Sequence, residues 1–139
     1  MLITRRAEFS ASHVCAQPSL TPEQNRELYG AGANPSGHGH NYVVEVTLEG
    51  DPDPVTGMVF DLKKLKELIQ QTVIEPMDHR FLNYEVPPFD RIVPTTENLA
   101  AEIWNRLCPH FGTGKPRLNN VRLYETEDLF VDYSEERQS

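Results

Sequence analysis

"PSGHGHNYVVEV", residues 35–46, sets two histidines one residue apart between glycines and runs directly into a β-branched stretch. From residue 40 onward His40, Tyr42, Val44, Val46 and Leu48 share one side of an extended chain, and Val43, Glu45, Thr47 and Glu49 share the other. Side chains alternate across a strand, so this is the pattern of a strand with one face packed and one face wet. The strand predicted over 40–49 anchors the fold. If pairing begins two residues earlier, His38 and His40 project together, and Gly37 and Gly39 leave room beside them for a close-fitting ion.

Residues 2–13 alternate in the same way, with Phe9, Ala11 and His13 on one face. The long segment between these strands is broken by Pro18, Pro22 and Pro35. Within it "TPEQNREL" (21–28) reads as a helical turn, capped by Thr21 with Pro22 first. Downstream, "GDPDPVTG" (50–57) is turn chemistry, which predicts a short strand at Met58–Phe60 returning as a hairpin. Asp61 then caps a helix carrying Leu62, Leu65, Leu68, Ile69 and Val73 at helical spacing, and Pro76 helps to end it. After the loop "NYEVPPFDRIVP" (83–94), Thr95 or Thr96 caps a second helix with Leu99, Ile103 and Leu107 as its buried stripe. Residues 117–133 read as a final hairpin, in which Val121, Leu123 and Glu125 face one way. The expectation is a single α+β domain over 1–139, an antiparallel four-stranded sheet with two helices on one face.

At 139 residues the chain supplies one ordinary core. A net charge of −8 argues against nucleic acid or an anionic membrane as partner, because both reward a basic surface. It leaves open a small anionic substrate held by a few local cations. The opening "MLITRRAEF" lacks the apolar core of an export signal, and no run reaches membrane-spanning length. Cys15 and Cys108 do not make a disulfide framework. The expected location is the cytoplasm.

Imidazole nitrogens suit zinc, and a catalytic zinc takes three protein ligands while keeping one position open. His13, at the end of the first strand on the face of Phe9 and Ala11, is the candidate third ligand beside His38 and His40. His110, in "CPHFG", reads as a helix-end residue near carbonyls.

Taken in order, "FSASH" (9–13), "NPSGHGHNY" (34–42), "DPVTGMVFDLKKLK" (53–66), "PMDHRFLN" (76–83), "TTEN" (95–98) and "VRLYET" (121–126) resemble the 6-pyruvoyltetrahydropterin synthase family, which includes the 6-carboxytetrahydropterin synthases. "NPSGHGHNY" and "TTEN" look closer to the pyruvoyl-forming branch. The resemblance implies a T-fold subunit, trimers whose sheets close into a barrel, and a homohexamer built as a dimer of trimers. It implies zinc on His13, His38 and His40, and a lyase acting on 7,8-dihydroneopterin triphosphate. Asp78 and His79 match the family's Asp–His relay pair. Thr95 and Thr96 match positions bordering the pterin, although both also suit a helix cap. Glu125 matches the pterin-anchoring glutamate. An unpartnered carboxylate on the face of Val121 and Leu123 is costly, and the amidine-like edge of a pterin offers it two hydrogen bonds.

The sequence departs from the family at one point. The catalytic cysteine six residues ahead of the first histidine is replaced by Gly32, which has no group to move a proton. Cys15, two residues beyond His13, is the candidate replacement, whereas Cys108 reads as core. Glu23 and Glu27 lie upstream but not at the aligned position. The alternatives are therefore a relative that cleaves the dihydroneopterin side chain, or a pterin-binding module without turnover. Arg5, Arg6, Lys63, Lys64, Arg80 and Lys115 are the cations available for a triphosphate.

Overall fold

The structure is a computed structural model describing residues 1–112 and 116–135. Lys115 lies outside the described residues. Strand β1 (Leu2–His13) pairs antiparallel with β2 (His38–Glu49) from Leu2 opposite Glu49 to His13 opposite His38, without a break. The other edge of β2 pairs with β4 (Arg117–Thr126), and β4 returns through a tight turn into β5 (Leu129–Tyr133). Those four antiparallel strands are the ones the alternation indicated.

A fifth, two-residue strand, β3 (Arg80–Phe81), runs parallel to β1 at Ala11 and Ser12, giving the order β3-β1-β2-β4-β5. The strand expected at Met58–Phe60 does not form. Both edges of β2 are already taken by β1 and β4, so a returning chain has no ladder to join. The segment closes instead as a turn: Asp53 Oδ1 accepts from the N–H groups of Val55 and Thr56, and Phe60 packs edge-on against Phe111.

Helix α1 (Pro22–Tyr29) carries the expected cap, with Thr21 Oγ1 accepting from Gln24 N–H and the Gln24 side chain answering the Thr21 N–H. Asp61 caps α2 (Leu62–Ile69). The helix then widens into a π-turn at Gln70–Ile74 and ends in α3 (Glu75–Met77), so Pro76 sits inside the last turn instead of stopping the run. A single turn, α4 (Leu82–Glu85), precedes α5 (Thr96–Leu107), which Thr95 caps by accepting from Asn98 N–H. Among the described residues no helix is long and apolar enough to cross a membrane.

The core lies between one sheet face and the long helices. Tyr42, Val44, Val46 and Leu48 of β2 and Val121 and Leu123 of β4 are sealed under Leu65 and Ile69 of α2 and Leu99, Ile103 and Leu107 of α5. Cys108 packs against this core, as expected. His110 falls in a short 3-10 turn after α5. The same inward face, followed along β1, ends at His13.

Candidate active site

The register of β1 and β2 assembles the site. His13 stands directly opposite His38, and His40 opposite Ala11. Because residues two apart share a face, all three imidazoles emerge on one side at one end of the sheet. One nitrogen from each ring lies within 4.8 Å of the others. The rings are steeply inclined to one another, with centroids 4.5 to 5.1 Å apart. His13 is buried at 1% exposure, whereas His38 and His40 are half-buried, so the cluster is walled on one side and reachable on the other.

The hydrogen bonds decide which nitrogens are free. His13 Nδ1 lies 2.7 Å from the Pro94 carbonyl, so this nitrogen carries the proton and Nε2 keeps its lone pair. That Nε2 is 3.0 Å from His38 Nε2. His40 Nε2 is buried without a hydrogen-bond partner. It stands 3.4 Å from Glu125 Oε1, a charge contact whose direction is wrong for a hydrogen bond. Burial pushes His13 below the ordinary histidine range, opposed by the Pro94 bond. Burial also lowers His40, opposed by the Glu125 carboxylate. Three converging imidazoles, one with an orphaned buried nitrogen, fit a divalent metal of nitrogen preference.

Glu125 reaches this cluster from β4. Thr96, 3% exposed in the first turn of α5, donates its hydroxyl to Glu125 Oε2. Thr95 is occupied with its cap. Thus Glu125 and Thr96 are brought to the histidines, and Thr95 stands one residue away as a structural cap. Glu97, in the same turn, was not singled out from sequence. Burial, then Glu125, then Glu97 push the Cys15 thiol up.

A thiol, that of Cys15, lies beside Gly32. Cys15 N–H donates to the Gly32 carbonyl at 2.8 Å. A Cβ at position 32 would lie 3.6 Å from Cys15 Cβ and 4.0 Å from its Sγ. Cys15 Sγ is 3.9 Å from His13 Nδ1. Burial, then the carboxylates of Glu125 and Glu97, push this thiol up, against ionisation. Glu23 and Glu27 sit on the exposed surface of α1.

Asp78 and His79 form a pair elsewhere. Asp78 Oδ1 accepts from Ser10 N–H at 2.8 Å and Oδ2 faces His79 Nδ1 at 2.9 Å. These contacts, Ser10 first, hold the Asp78 carboxyl below the usual range. His79 is 84% exposed at its side chain and has a φ of 60°. His79 lines a groove with Ser10, Ser12 and Asn41, and His40 lines it too. Among the described cations, Arg6 pairs with Glu45 and Arg80 with Glu85, and Lys63 and Lys64 lie exposed on α2.

The chain is similar to known proteins along nearly its whole length. A family model described as 6-pyruvoyl tetrahydropterin synthase matches residues 2–136. The chain is 43% identical over 134 residues to the 6-pyruvoyl tetrahydrobiopterin synthase of Homo sapiens, covering 96% of this chain and 91% of that protein. It is 45% identical over 131 residues to the Poecilia reticulata protein of the same name, covering 94% and 88%. The solved 6-pyruvoyl tetrahydropterin synthase of Caenorhabditis elegans superposes with a TM-score of 0.91 at 34% identity, covering 98% of this chain and 96% of that one.

Proposed function

Because the chain belongs to the 6-pyruvoyl tetrahydropterin synthase family, we propose that it is a zinc-dependent lyase acting on 7,8-dihydroneopterin triphosphate, with the pyruvoyl-type product for which the relatives above are named. The observation that carries this reading is the imidazole trio opening toward a carboxylate pinned by Thr96. His13, His38 and His40 would hold the metal. When bound, zinc supplies a Lewis acid that acidifies side-chain hydroxyls and the neighbouring C–H bonds.

The chain's own groups divide the remaining work. The Pro94 carbonyl keeps the proton on His13 Nδ1 and so presents Nε2 inward. Glu125 accepts two hydrogen bonds from the pterin's amino and ring N–H edge, with Thr96 fixing the carboxylate and Thr95 bordering the ring. Cys15 is the candidate to take a proton from the side-chain carbon, after which triphosphate leaves with the C–O bonding electrons. Its thiol needs neighbouring positive charge to ionise. Asp78 fixes the tautomer of His79, and this pair is the proton relay of the reading. A homohexamer of two trimers would close the sheet edges that β5 and most of β1 leave open. Two free thiols suit the reducing cytoplasm.

One observation favours a second reading, a pterin-binding module without turnover: Gly32 has no side chain, and burial pushes the Cys15 thiol up, against ionisation. Zinc-loaded protein incubated with dihydroneopterin triphosphate separates the two. Triphosphate release supports the lyase; acetaldehyde indicates side-chain cleavage; tight pterin binding with neither product supports the binding module. Stoichiometric zinc in His38→Ala would contradict the ligand set, and unchanged turnover in Cys15→Ser would remove Cys15 as base. A Glu125→Ala variant binding pterin as tightly as the parent would remove the anchor.

A further inference from the structure

A second cavity, of about 360 Å³, opens between the loop that follows β1 and the segment 81–92. That volume falls within the range of small-molecule sites. Val14, Leu20 and Ala33 form one wall, and Phe81, Phe89 and Ile92 the other. None of these residues has a part in the lyase reading.

The walls are tied in place by two amide clamps. Asn25, 7% exposed, accepts from Gln17 N–H at 2.8 Å and donates to the carbonyls of Gln17 and Leu20. Asn83 accepts from Val14 N–H and donates to the Val14 carbonyl, both at 2.9 Å. Phe81 is set from both sides: Gly37, at a φ of 74°, lies so close that a Cβ there would stand 2.8 Å from the Phe81 ring, and Tyr84 stacks on Phe81 at 4.8 Å. A pocket braced in this way costs little ordering when filled.

Its rim carries two guanidinium groups against one carboxylate, that of Asp90. Arg26 and Arg91 line the cavity and are both exposed. Arg91 has Asp90 beside it at 3.8 Å, whereas no carboxylate among the described residues pairs with Arg26. Exposed apolar groups gather here too, with Tyr84 at 84% and Ile92 at 45%.

From the apolar walls and the guanidinium rim we infer a binding site, separate from the metal centre, for a planar apolar molecule bearing one acidic group. On a chain of net charge −8 an anion is repelled in general, so saturable binding must come from local cations.

Fluorescence titration of the zinc-loaded, assembled protein with anilinonaphthalenesulfonate tests this. The expected result is one saturable site per chain, weakened about tenfold or more in Arg26→Ala/Arg91→Ala and in Ile92→Glu, with melting unchanged in all variants. Phenylnaphthylamine, which has the rings without the sulfonate, should bind parent and double-arginine variant alike. His38→Ala should bind the sulfonate as the parent does, and dihydroneopterin should not displace it. This keeps the outcome independent of the lyase reading. Absence of saturable binding, as when neighbouring copies cover the cavity, would overturn the proposal. So would undiminished sulfonate binding in the arginine variant, loss of the neutral probe there, or displacement by the pterin.

Discussion

Replacing Gly32 by cysteine tests whether Cys15 occupies the space of the missing thiol. The backbone at residue 32 accepts a side chain without strain, because a Cβ there meets Cys15 Cβ at 3.6 Å and Tyr29 Cβ at 3.9 Å, ordinary contact distances. The first of these also lies inside the Cβ–Cβ span of roughly 3.5–4.5 Å that a disulfide requires. Oxidised Gly32→Cys should therefore close a loop of about 17 residues, restricting the unfolded chain by about 3 kcal/mol. For a chain of this length that is a rise in melting temperature on the order of 10 °C over the reduced form. Calorimetry with and without reductant, with mass spectrometry to confirm loss of two hydrogens, provides the reading. The reduced variant should release triphosphate faster than the parent. Free thiols persisting under oxidant, or an oxidised form melting at or below the reduced one, would mean that Cys15 and residue 32 do not face one volume. The argument for Cys15 as the substitute thiol would then fail.

Thr96→Val removes the hydroxyl that holds Glu125. A hydrogen bond to a charged acceptor is worth about 1.5–3 kcal/mol when sheltered, and water at the partly exposed carboxylate should reduce this to about 1 kcal/mol. Pterin affinity by titration should drop about fivefold, with Thr96→Ser retaining it; equal loss in both would point to packing instead. His13 is held below its ordinary pKa by burial, so the unfolded chain binds the extra proton below about pH 6.5 while the folded chain resists it. Metal-free protein should keep its full stability above that pH and lose it as pH falls further; a flat melting profile across the window would contradict the burial argument. His79 sits at a φ of 60°, where glycine is free of the Cβ clash, so His79→Gly should be more stable than His79→Ala by about 1 kcal/mol in denaturant melts. Both should lack turnover, and the reverse order of stability would refute the strain.

The strands were legible because alternation is a direct imprint of a sheet with one packed face, and β1 and β2 carry it for twelve residues each. That alternation also placed the histidines: once His38 joins β2, pairing alone sets His13 opposite it. Helix starts were legible through Thr21, Asp61 and Thr95, whose side chains accept from backbone N–H groups as caps do. What stayed hidden depends on partners far along the chain. The strand at Arg80–Phe81 exists because His79 N–H reaches the Ser10 carbonyl, and two residues carry no period of their own. The Pro94 carbonyl that sets the His13 tautomer has no signature, since every residue has a carbonyl. Met58–Phe60 read as a strand by its turn and its apolar residues, but local pattern does not say whether a sheet edge is free.

The departures from ordinary folding rules gather at the end of the sheet where β1 finishes and β2 begins. An imidazole is buried on an otherwise apolar face at His13, a second keeps an orphaned nitrogen at His40, and a carboxylate at Glu125 interrupts the row of Val121 and Leu123. Each destabilises a lone chain, and none improves the packing of its neighbours. Such costs persist where a bound group offsets them, and one divalent ion with a polar ligand beside it would satisfy all three. Gly32 belongs to the same region and is the opposite kind of departure, a side chain removed. Cys15 lies beside it at the end of β1, with its Sγ 3.9 Å from His13 Nδ1. On the proposed lyase reading, a sulfur at that place would approach substrate from the strand side, and the fate of the substrate side chain would turn on which carbon it reaches from a pterin held at Glu125.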